Sequence, residues 1–286
     1  MTGSSEPRLR SHAERIASRD GYFSPESVVR RLGNSAVTPF LGGGAAVLLQ
    51  VAHPLVAYGV AEHSGYERDL WRRLVRTLRA LYLITFGDTR EAEGAGAAVQ
   101  AVHARVHGTT DRKLGVFPAG TSYAASDAEL MLWVHATLVA SSLGAYERFV
   151  CPLTADERDQ YCGEMAVVAE LMGAPAAALP RSYAGFRDYY RAQLAGPILT
   201  VTAPARLIAR VILATPLPAP LRLLAPAHRL STARLLPPRL RHEYGLRWTP
   251  LHELALPIAG RTVRYGTAPA LTLAARLRPP GRALAA

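Results

Sequence analysis

The chain has 286 residues, of which 49% are hydrophobic and 19% are charged, and its formal net charge is +11 at pH 7. This composition excludes a disordered chain and a collagen-like repeat, and the two cysteines are too few for a disulfide framework. At about 100–200 residues per domain, the length allows one large domain or two small ones. We therefore expect a sizeable buried core and reduced cysteines, as in a cytoplasmic protein.

The first apolar segment of the chain is a stretch of 24 uncharged residues, Thr38–Ala61. Residues 1–24 precede it as a polar tail, and the absence of an apolar run there predicts that no signal peptide is present. The stretch is long enough to cross a bilayer, but it contains Gln50, His53 and the glycine triplet Gly42–Gly44. We predict a buried core helix that the chain enters through a glycine turn.

Helical patterns follow one another along the rest of the chain. Leucines at three- and four-residue steps predict an amphipathic helix over Glu67–Phe86. Capping residues predict the next three helices: Asp88 or Thr89 before Arg90–Gly108, a Ser126–Glu129 capping box before a helix to Val150, and Thr154 before a helix to Gly173. Shorter helices are predicted over Tyr183–Leu194, Ala203–Leu213, Leu235–Tyr244 and Ala268–Leu277.

No stretch shows the alternation of polar and apolar residues that predicts a strand, and no internal repeat is visible. The sequence therefore predicts an all-α fold, a single helical-bundle domain of about ten helices. This domain is expected to span residues 25–286, with an arginine-rich part over residues 181–286.

The positive charge is confined to the last third of the chain. Residues 1–180 contain 17 basic and 19 acidic side chains, whereas residues 181–286 contain 16 arginines and three acidic residues. Binding of nucleic acid is not expected, because no helix-turn-helix, finger or aromatic-rich sheet pattern accompanies the charge. Two interpretations remain open: a solvated arginine-rich surface beside a core helix, and peripheral contact of Ala205–Ala227 with an anionic membrane.

Five histidines lie in the helical first half of the chain, namely His53, His63, His103, His107 and His135. His103 and His107 are four residues apart, which would place them on one helix face and suit a divalent metal. The glutamates that accompany such pairs in metalloprotease and di-iron helices are absent. Structural roles are the alternative: a helix break for His53, a helix-end cation for His63 and a hydrogen-bonded core residue for His135.

A second polar cluster lies on the helix predicted over Glu67–Phe86. Arg73, Arg76 and Thr77 fall on one side of it, next to the leucine stripe. A solvated face is the ordinary interpretation of this pattern. However, a cation at the edge of an apolar pocket needs a partner, because an unpaired buried charge costs several kcal/mol. These residues are therefore candidates for a ligand-binding site.

Four sequence blocks occur in one order along the chain: LGGGAAVLLQVAHPLVAYGVAEHS, RLVRTLRALYLITFGD, VQAVHARVHG and DAELMLWVHATLVASSLGAYERFV. Together they resemble the MpaB/rubber-oxygenase family, which includes latex-clearing proteins and the oxygenase of mycophenolic acid biosynthesis. The resemblance spans roughly Leu32–Pro180, and Leu235–Leu246 is also similar. It implies an all-α fold resembling the globins and, in the rubber-cleaving branch, a b-type haem held by one proximal histidine.

The resemblance also implies roles for single residues. His103 matches the proximal ligand of that branch and is thus the expected metal-binding and cofactor-binding residue. Arg73, Arg76 and Thr77 match a distal Arg-x-x-Lys-Thr motif, with Arg76 in place of the lysine. Because arginine stays protonated, it cannot coordinate iron and would leave the sixth position open or hydrogen-bond a bound oxygen.

The chain departs from the branch at two arginines near the proximal histidine, which are replaced by Gln100 and His107. Arginines elsewhere in these helices are the substitute candidates for haem propionates: Arg72, Arg79 and Arg105. The nearest candidate for the branch's catalytic glutamate is Glu62, directly before His63.

These observations lead to the hypothesis of a haem b-dependent oxygenase that uses O2 on a hydrophobic, unsaturated, isoprenoid-like substrate. Its iron would be ligated by His103, and Arg73 and Thr77 would orient the bound oxygen. Two alternatives remain open. One is a non-haem or cofactor-free member of the same family, in which histidines supply acid–base or metal groups. The other is a helical protein that binds an apolar ligand at a membrane surface.

Overall fold

The structure, a computed structural model, describes residues 20–35, 37–63, 66–214 and 224–267, without the side chains of residues 66–74, 264 and 266–267. Within these ranges the chain forms twelve α-helices: α1 Val28–Gly33, α2 Val37–Val51, α3 Pro54–His63, α4 Tyr66–Phe86, α5 Thr89–His103, α6 Ala128–Phe149, α7 Ala155–Leu171, α8 Tyr183–Ala195, α9 Ala203–Ala214, α10 Ala225–Leu235, α11 Pro238–Glu243 and α12 Pro250–Arg261. A short 3-10 helix (Ala176–Ala178) precedes α8, and a π-helical turn (Thr262–Thr267) follows α12. The predicted all-α fold is confirmed.

One small sheet interrupts the helical pattern. Strands β1 (His107–Thr109) and β2 (Ser122–Ala124) pair antiparallel, with Gly108 opposite Tyr123. The sequence analysis did not predict these strands, because each has only three residues and period-two alternation needs a longer segment to be recognised. The predicted helix Arg90–Gly108 is accordingly wrong at its end: α5 stops at His103, and β1 begins at His107. His103 and His107 therefore do not share a helix face.

Helix α6 lies at the centre of the domain, where it packs along α2 on one side and against α7 on the other. Its inward residues Trp133, Ala136, Val139 and Leu143 are at most 4% exposed. Burying a large apolar side chain contributes roughly 1.5–3 kcal/mol. Burial of these α6 residues therefore fixes the positions of α2 and α7 against α6.

The predicted leucine stripe of α4 is confirmed near its C-terminal end. Ile84 is fully buried and Leu81 is half-buried, whereas Leu78 is 40% exposed. Tyr22 and Phe23, within the segment predicted as a tail, pack into the core with α1 and α7. The helix predicted over Ala268–Leu277 lies outside the described residues.

The long apolar stretch Thr38–Ala61 forms two helices instead of one, so the prediction of a single core helix is wrong. Helices α2 and α3 meet at an angle of 102° at the break before Pro54. Proline has no N–H to continue a helix, and its ring clashes with the preceding turn. The bent pair passes a length and hydropathy test for a membrane span, as does α6 alone, half of whose apolar window is buried inside the domain.

Carbonyls at and just after the end of α2 receive additional hydrogen bonds from distant parts of the chain. Trp133 Nε1 donates to the Leu49 carbonyl at 3.2 Å, the Thr200 N–H donates to Ala52 at 2.8 Å, and the Tyr244 hydroxyl donates to Leu48 at 2.6 Å. A helix end without partners would leave up to four carbonyls unsatisfied. These tertiary hydrogen bonds stabilise the break, which the sequence suggested only as a structural role for His53.

The predicted helix caps are confirmed at two helices and wrong at a third. Capping boxes join Asp88 to Glu91 at α5 and Thr154 to Glu157 at α7. At α6 the predicted Ser126–Glu129 box is absent, and Asp127 occupies the N-cap position. The Asp127 carboxylate accepts a hydrogen bond from the Ala124 N–H at 2.9 Å, so it stabilises the turn that follows β2.

The glycine triplet lies inside α2 and does not form an entry turn, which corrects the prediction. A Cβ on Gly42 would lie 2.8 Å from the carbonyl oxygen of Ser141 on α6, and a Cβ on Gly44 would overlap Thr232 Oγ1 on α10. On Gly43 a Cβ would meet nothing within 4 Å. Two of the three glycines therefore allow neighbouring helices to approach the α2 backbone closely.

Candidate functional site

A cavity of about 840 Å³ lies between α3, α4, α5, α6 and α7. Its wall is largely apolar, with Val56 and Val60 from α3, Leu83 from α4, Val99 from α5, Leu130 from α6 and Met165 from α7 among the lining residues. Small-molecule and cofactor sites usually have volumes of about 300–1,000 Å³, apolar walls and a few convergent polar groups. The cavity has the size and lining of such a site.

Three histidines from three different helices reach this cavity: His63 of α3, His103 of α5 and His135 of α6. His135 is 5% exposed, and burial lowers its pKa to about 4, so its imidazole is neutral at physiological pH. His53 does not line the cavity. It is buried at the α2–α3 break, with its ring centroid 5.6 Å from that of Phe117.

The part of the chain that the structure describes contains no group of three or more His, Cys, Asp and Glu residues arranged to hold a metal ion. The metal pair considered for His103 and His107 is not formed either. His107 is exposed on β1 and does not line the cavity, whereas His103 does. A metal ion bound by protein side chains alone would need three or four ligands, whereas porphyrin iron needs one.

A cationic rim borders the cavity on the α4 side. Arg76, Thr77 and Arg79 of α4 and Arg90 of α5 line the wall, and all four are exposed or half-exposed, so the cavity reaches the protein surface along this edge. The structure thus brings three of the predicted site residues to the cavity. The side chains of the other two α4 candidates, Arg72 and Arg73, lie outside the described residues.

Two other predicted site residues do not line the cavity. The Arg105 side chain is exposed, and its Nε donates to the Ala101 carbonyl at 3.1 Å, at the end of α5. Glu62 is exposed beside the cavity, where its charge contributes to raising the pKa of Tyr123. Gln100 Nε2 donates to the Leu171 carbonyl at 2.9 Å and so connects α5 to the end of α7.

Besides the histidines, four polar residues of the wall were not predicted as site residues: Gln50, Arg90, Glu91 and Tyr123. Arg90 was treated only as the start of a helix, and Tyr123 lies on a strand that was not predicted. The Tyr123 hydroxyl lies 2.9 Å from His63 Nε2, and both residues line the cavity. Burial raises the pKa of the Tyr123 hydroxyl, with smaller effects from Tyr58 and Glu62. The phenol therefore stays protonated and can donate a hydrogen bond.

Comparison with known proteins gives a family match for this chain. The profile of one family, described as ER-bound oxygenase mpaB/B'/rubber oxygenase, catalytic domain, matches residues 30–265. The chain belongs to the MpaB/rubber-oxygenase family. No curated protein matches the sequence, and no solved structure does. The family match includes every helix that lines the cavity and extends past Pro180 through α12, beyond the region of the strongest sequence resemblance.

Membership of the MpaB/rubber-oxygenase family makes this chain an oxygenase, which combines a small-molecule substrate with dioxygen. The cavity has the apolar lining and the imidazole groups that such a reaction needs. His103, which the sequence resemblance predicts as the proximal ligand, lines this cavity.

Proposed function

We propose that this chain is a haem b-dependent oxygenase acting on a hydrophobic, unsaturated substrate, in which His103 would hold the haem iron. The observation that carries this proposal is the position of His103 in the wall of the 840 Å³ cavity. The histidine reaches the cavity from the last turn of α5, and the helices around it supply apolar side chains.

The residues of the cavity fit a haem group in their chemistry. The macrocycle is apolar and suits the valine, leucine and methionine lining. The propionates are anionic and would be stabilised by the exposed arginines of the wall, Arg76, Arg79 and Arg90. Glu91 lines the same wall, and its carboxylate accepts a hydrogen bond from the Asp88 N–H at 3.1 Å. Arg79 was proposed as a propionate partner from the sequence. Arg105, which was proposed with it, does not line the cavity, and Arg90 would act in its place.

When bound, a haem with one neutral imidazole ligand supplies an iron that can bind and activate dioxygen. The protein residues would determine the rest of the chemistry. The guanidinium of Arg76 stays protonated, so it donates hydrogen bonds and does not compete for the metal. The Thr77 hydroxyl can donate or accept beside it. The apolar walls would exclude water and admit a carbon chain with C=C bonds, for oxidative cleavage or oxygen insertion.

The cavity assignment can be tested with a matched pair of bulky substitutions on α5. Ala98 lines the cavity and Ala97 does not, although both are exposed. Ala98→Trp is expected to weaken haemin binding roughly tenfold to hundredfold, because overfilling a site costs about 1–3 kcal/mol. Ala97→Trp should bind haemin as the wild type does. The measurement is a haemin titration followed by the change in absorbance, with oxygen uptake in the presence of farnesene as the test of activity.

Two results would contradict the proposal. A wild-type protein that neither contains nor takes up haem, yet consumes oxygen with farnesene, would favour the cofactor-free or non-haem alternative. Equal haemin affinities of the Ala98→Trp and Ala97→Trp variants would place the haem outside this cavity.

We also propose that the protein contacts anionic membranes through the outer face of α12. Leu251, Leu254 and Ile258 lie on one side of this helix and are 74%, 71% and 66% exposed. Arg247 and Arg261 flank this face and are also exposed. Apolar side chains bordered by arginines are the pattern of a helix that lies in a lipid headgroup layer. In α9, by contrast, Ile208 and Ile212 are buried in the core, so the described part of Ala205–Ala227 presents mainly its arginines.

This membrane proposal predicts a lipid-dependent flotation. The wild type should float with vesicles of phosphatidylcholine and phosphatidylserine at low salt, and less as salt screens the arginines. The triple substitution Leu251→Ser, Leu254→Ser, Ile258→Ser should stay in the soluble fraction, since each buried apolar side chain contributes about 1–3 kcal/mol to membrane binding. Flotation that does not depend on phosphatidylserine or on these residues would contradict the proposal.

A further inference from the structure

The ring of Tyr123 occupies a space that two neighbouring glycines leave free of side chains. It is 6% exposed on β2, directly opposite Gly108 of β1. A Cβ on Gly108 would lie 3.1 Å from the Tyr123 hydroxyl, and a Cβ on Gly59 of α3 would lie 3.3 Å from its ring. The ring of Tyr58 meets it edge to face, with centroids 5.5 Å apart. Two glycines and one aromatic contact therefore fix the phenol at the cavity wall.

His63 fixes the direction of the Tyr123 hydroxyl. Its Nε2 lies 2.9 Å from the hydroxyl oxygen, and the two rings meet edge to face with centroids 6.0 Å apart. A phenol has one donor and two acceptor positions, so this hydrogen bond leaves capacity for another partner. A neutral imidazole can carry its proton on either nitrogen. The hydroxyl can therefore donate to a ligand or accept from it, according to the tautomer of His63.

Apolar side chains of the cavity wall lie next to Tyr123: Val106 and Tyr123 both border Gly59, and Leu130 belongs to the same buried cluster as Tyr123. Arg76, Arg79 and Arg90 line the wall from α4 and the start of α5. A ligand in this region would contact apolar side chains along its length and a hydrogen-bonding group at one place. A site built to bond a hydroxyl discriminates against the analogue that lacks it, because its own polar group is then left without a partner.

We propose that Tyr123 and His63 form an alcohol-binding subsite, so that the substrate is an unsaturated hydrocarbon chain carrying one hydroxyl group. The inference rests on the proposed function, in which this cavity holds a hydrophobic substrate. It adds the substrate class: an isoprenoid alcohol in preference to a pure hydrocarbon. A hydroxyl both donates and accepts, which matches the adaptable Tyr123–His63 pair.

The test compares two ligands that share most of their carbon skeleton, geraniol with its hydroxyl and the hydrocarbon myrcene. Isothermal titration calorimetry on the protein as purified should show tighter binding of geraniol, by about 2- to 12-fold, the net effect of one hydrogen bond. In Tyr123→Phe this preference should disappear while the affinity for myrcene stays unchanged. Tyr82→Phe is the matched control, because Tyr82 is 60% exposed and does not line the cavity.

His63 is the exposed member of the pair. The variant His63→Leu removes the hydrogen-bond partner of the Tyr123 hydroxyl and should also reduce the preference for geraniol. Equal affinities of geraniol and myrcene for the wild type would overturn this inference and leave the proposed function standing. So would a preference that persists in both Tyr123→Phe and His63→Leu. Binding of neither ligand would overturn the hydrophobic-substrate part of the proposed function together with the inference.

Discussion

Replacing His103 with alanine is expected to remove the haem absorption band from protein purified from haem-sufficient cells. The His103 side chain lines the cavity at the end of α5 and is the ligand proposed for the iron, whereas His63, which also lines the cavity, is hydrogen-bonded to Tyr123. Without the imidazole the macrocycle would keep only its apolar contacts and its contacts with arginine. The measurement is the visible spectrum of each purified protein, normalised to protein concentration, and repeated after addition of haemin.

His107→Ala is the matched control for this substitution. It removes an imidazole four residues further along the chain, from an exposed position on β1 outside the cavity, and should leave the spectrum unchanged. Added imidazole should restore the band to His103→Ala, because the small ligand can enter the space that the side chain vacated. A full haem complement in His103→Ala, with the same ligand-field spectrum as the wild type, would exclude His103 as the ligand. His63 and His135 would then be the residues to replace.

The local signals of the sequence were sufficient to predict most of the helices. Asp88 and Thr154 begin the predicted helices because their caps depend on residues only three positions away. A break was considered only as a structural role for His53, and Thr38–Ala61 was predicted as one helix, because the stability of the break at Pro54 depends on residues far along the chain. Trp133 and Thr200 supply hydrogen bonds to the end of α2, and no pattern near residue 50 reports them.

The residues of the candidate site likewise divide into those that the sequence predicts and those that only the fold brings together. His103, Arg76 and Thr77 were found through motifs that resemble a family and Arg79 through its charge alone, and the structure brings all four to one cavity. Tyr123 carried no such signal, because its importance comes from the pairing of β1 with β2 and from its contact with His63, 60 residues earlier in the chain. The sequence shows that residue 90 is an arginine, but only the fold shows that its side chain lines the cavity. Residues that converge from separate elements become visible only when the fold is known.

Replacing Gly44 with alanine is expected to lower the free energy of unfolding by about 1–3 kcal/mol, the usual cost of overpacking a core. The new methyl group would overlap Thr232 Oγ1 and lie 2.9 Å from His228 Cε1, both on α10. These neighbours cannot move away easily. Thr232 is fully buried, and the His228 ring is held by a 2.8 Å hydrogen bond between its Nδ1 and the Phe40 carbonyl.

Gly43→Ala separates this packing effect from the general preference of helices for alanine. A Cβ at Gly43 meets nothing within 4 Å, so this variant should gain about 0.4–1 kcal/mol from lower chain entropy and higher helix propensity. Urea unfolding of the two variants, followed by circular dichroism, should therefore give midpoints on opposite sides of the wild type. A stabilised Gly44→Ala variant would mean that α10 does not approach α2 as closely as the structure places it. The opposite signs are expected because only one of two adjacent glycines faces another helix.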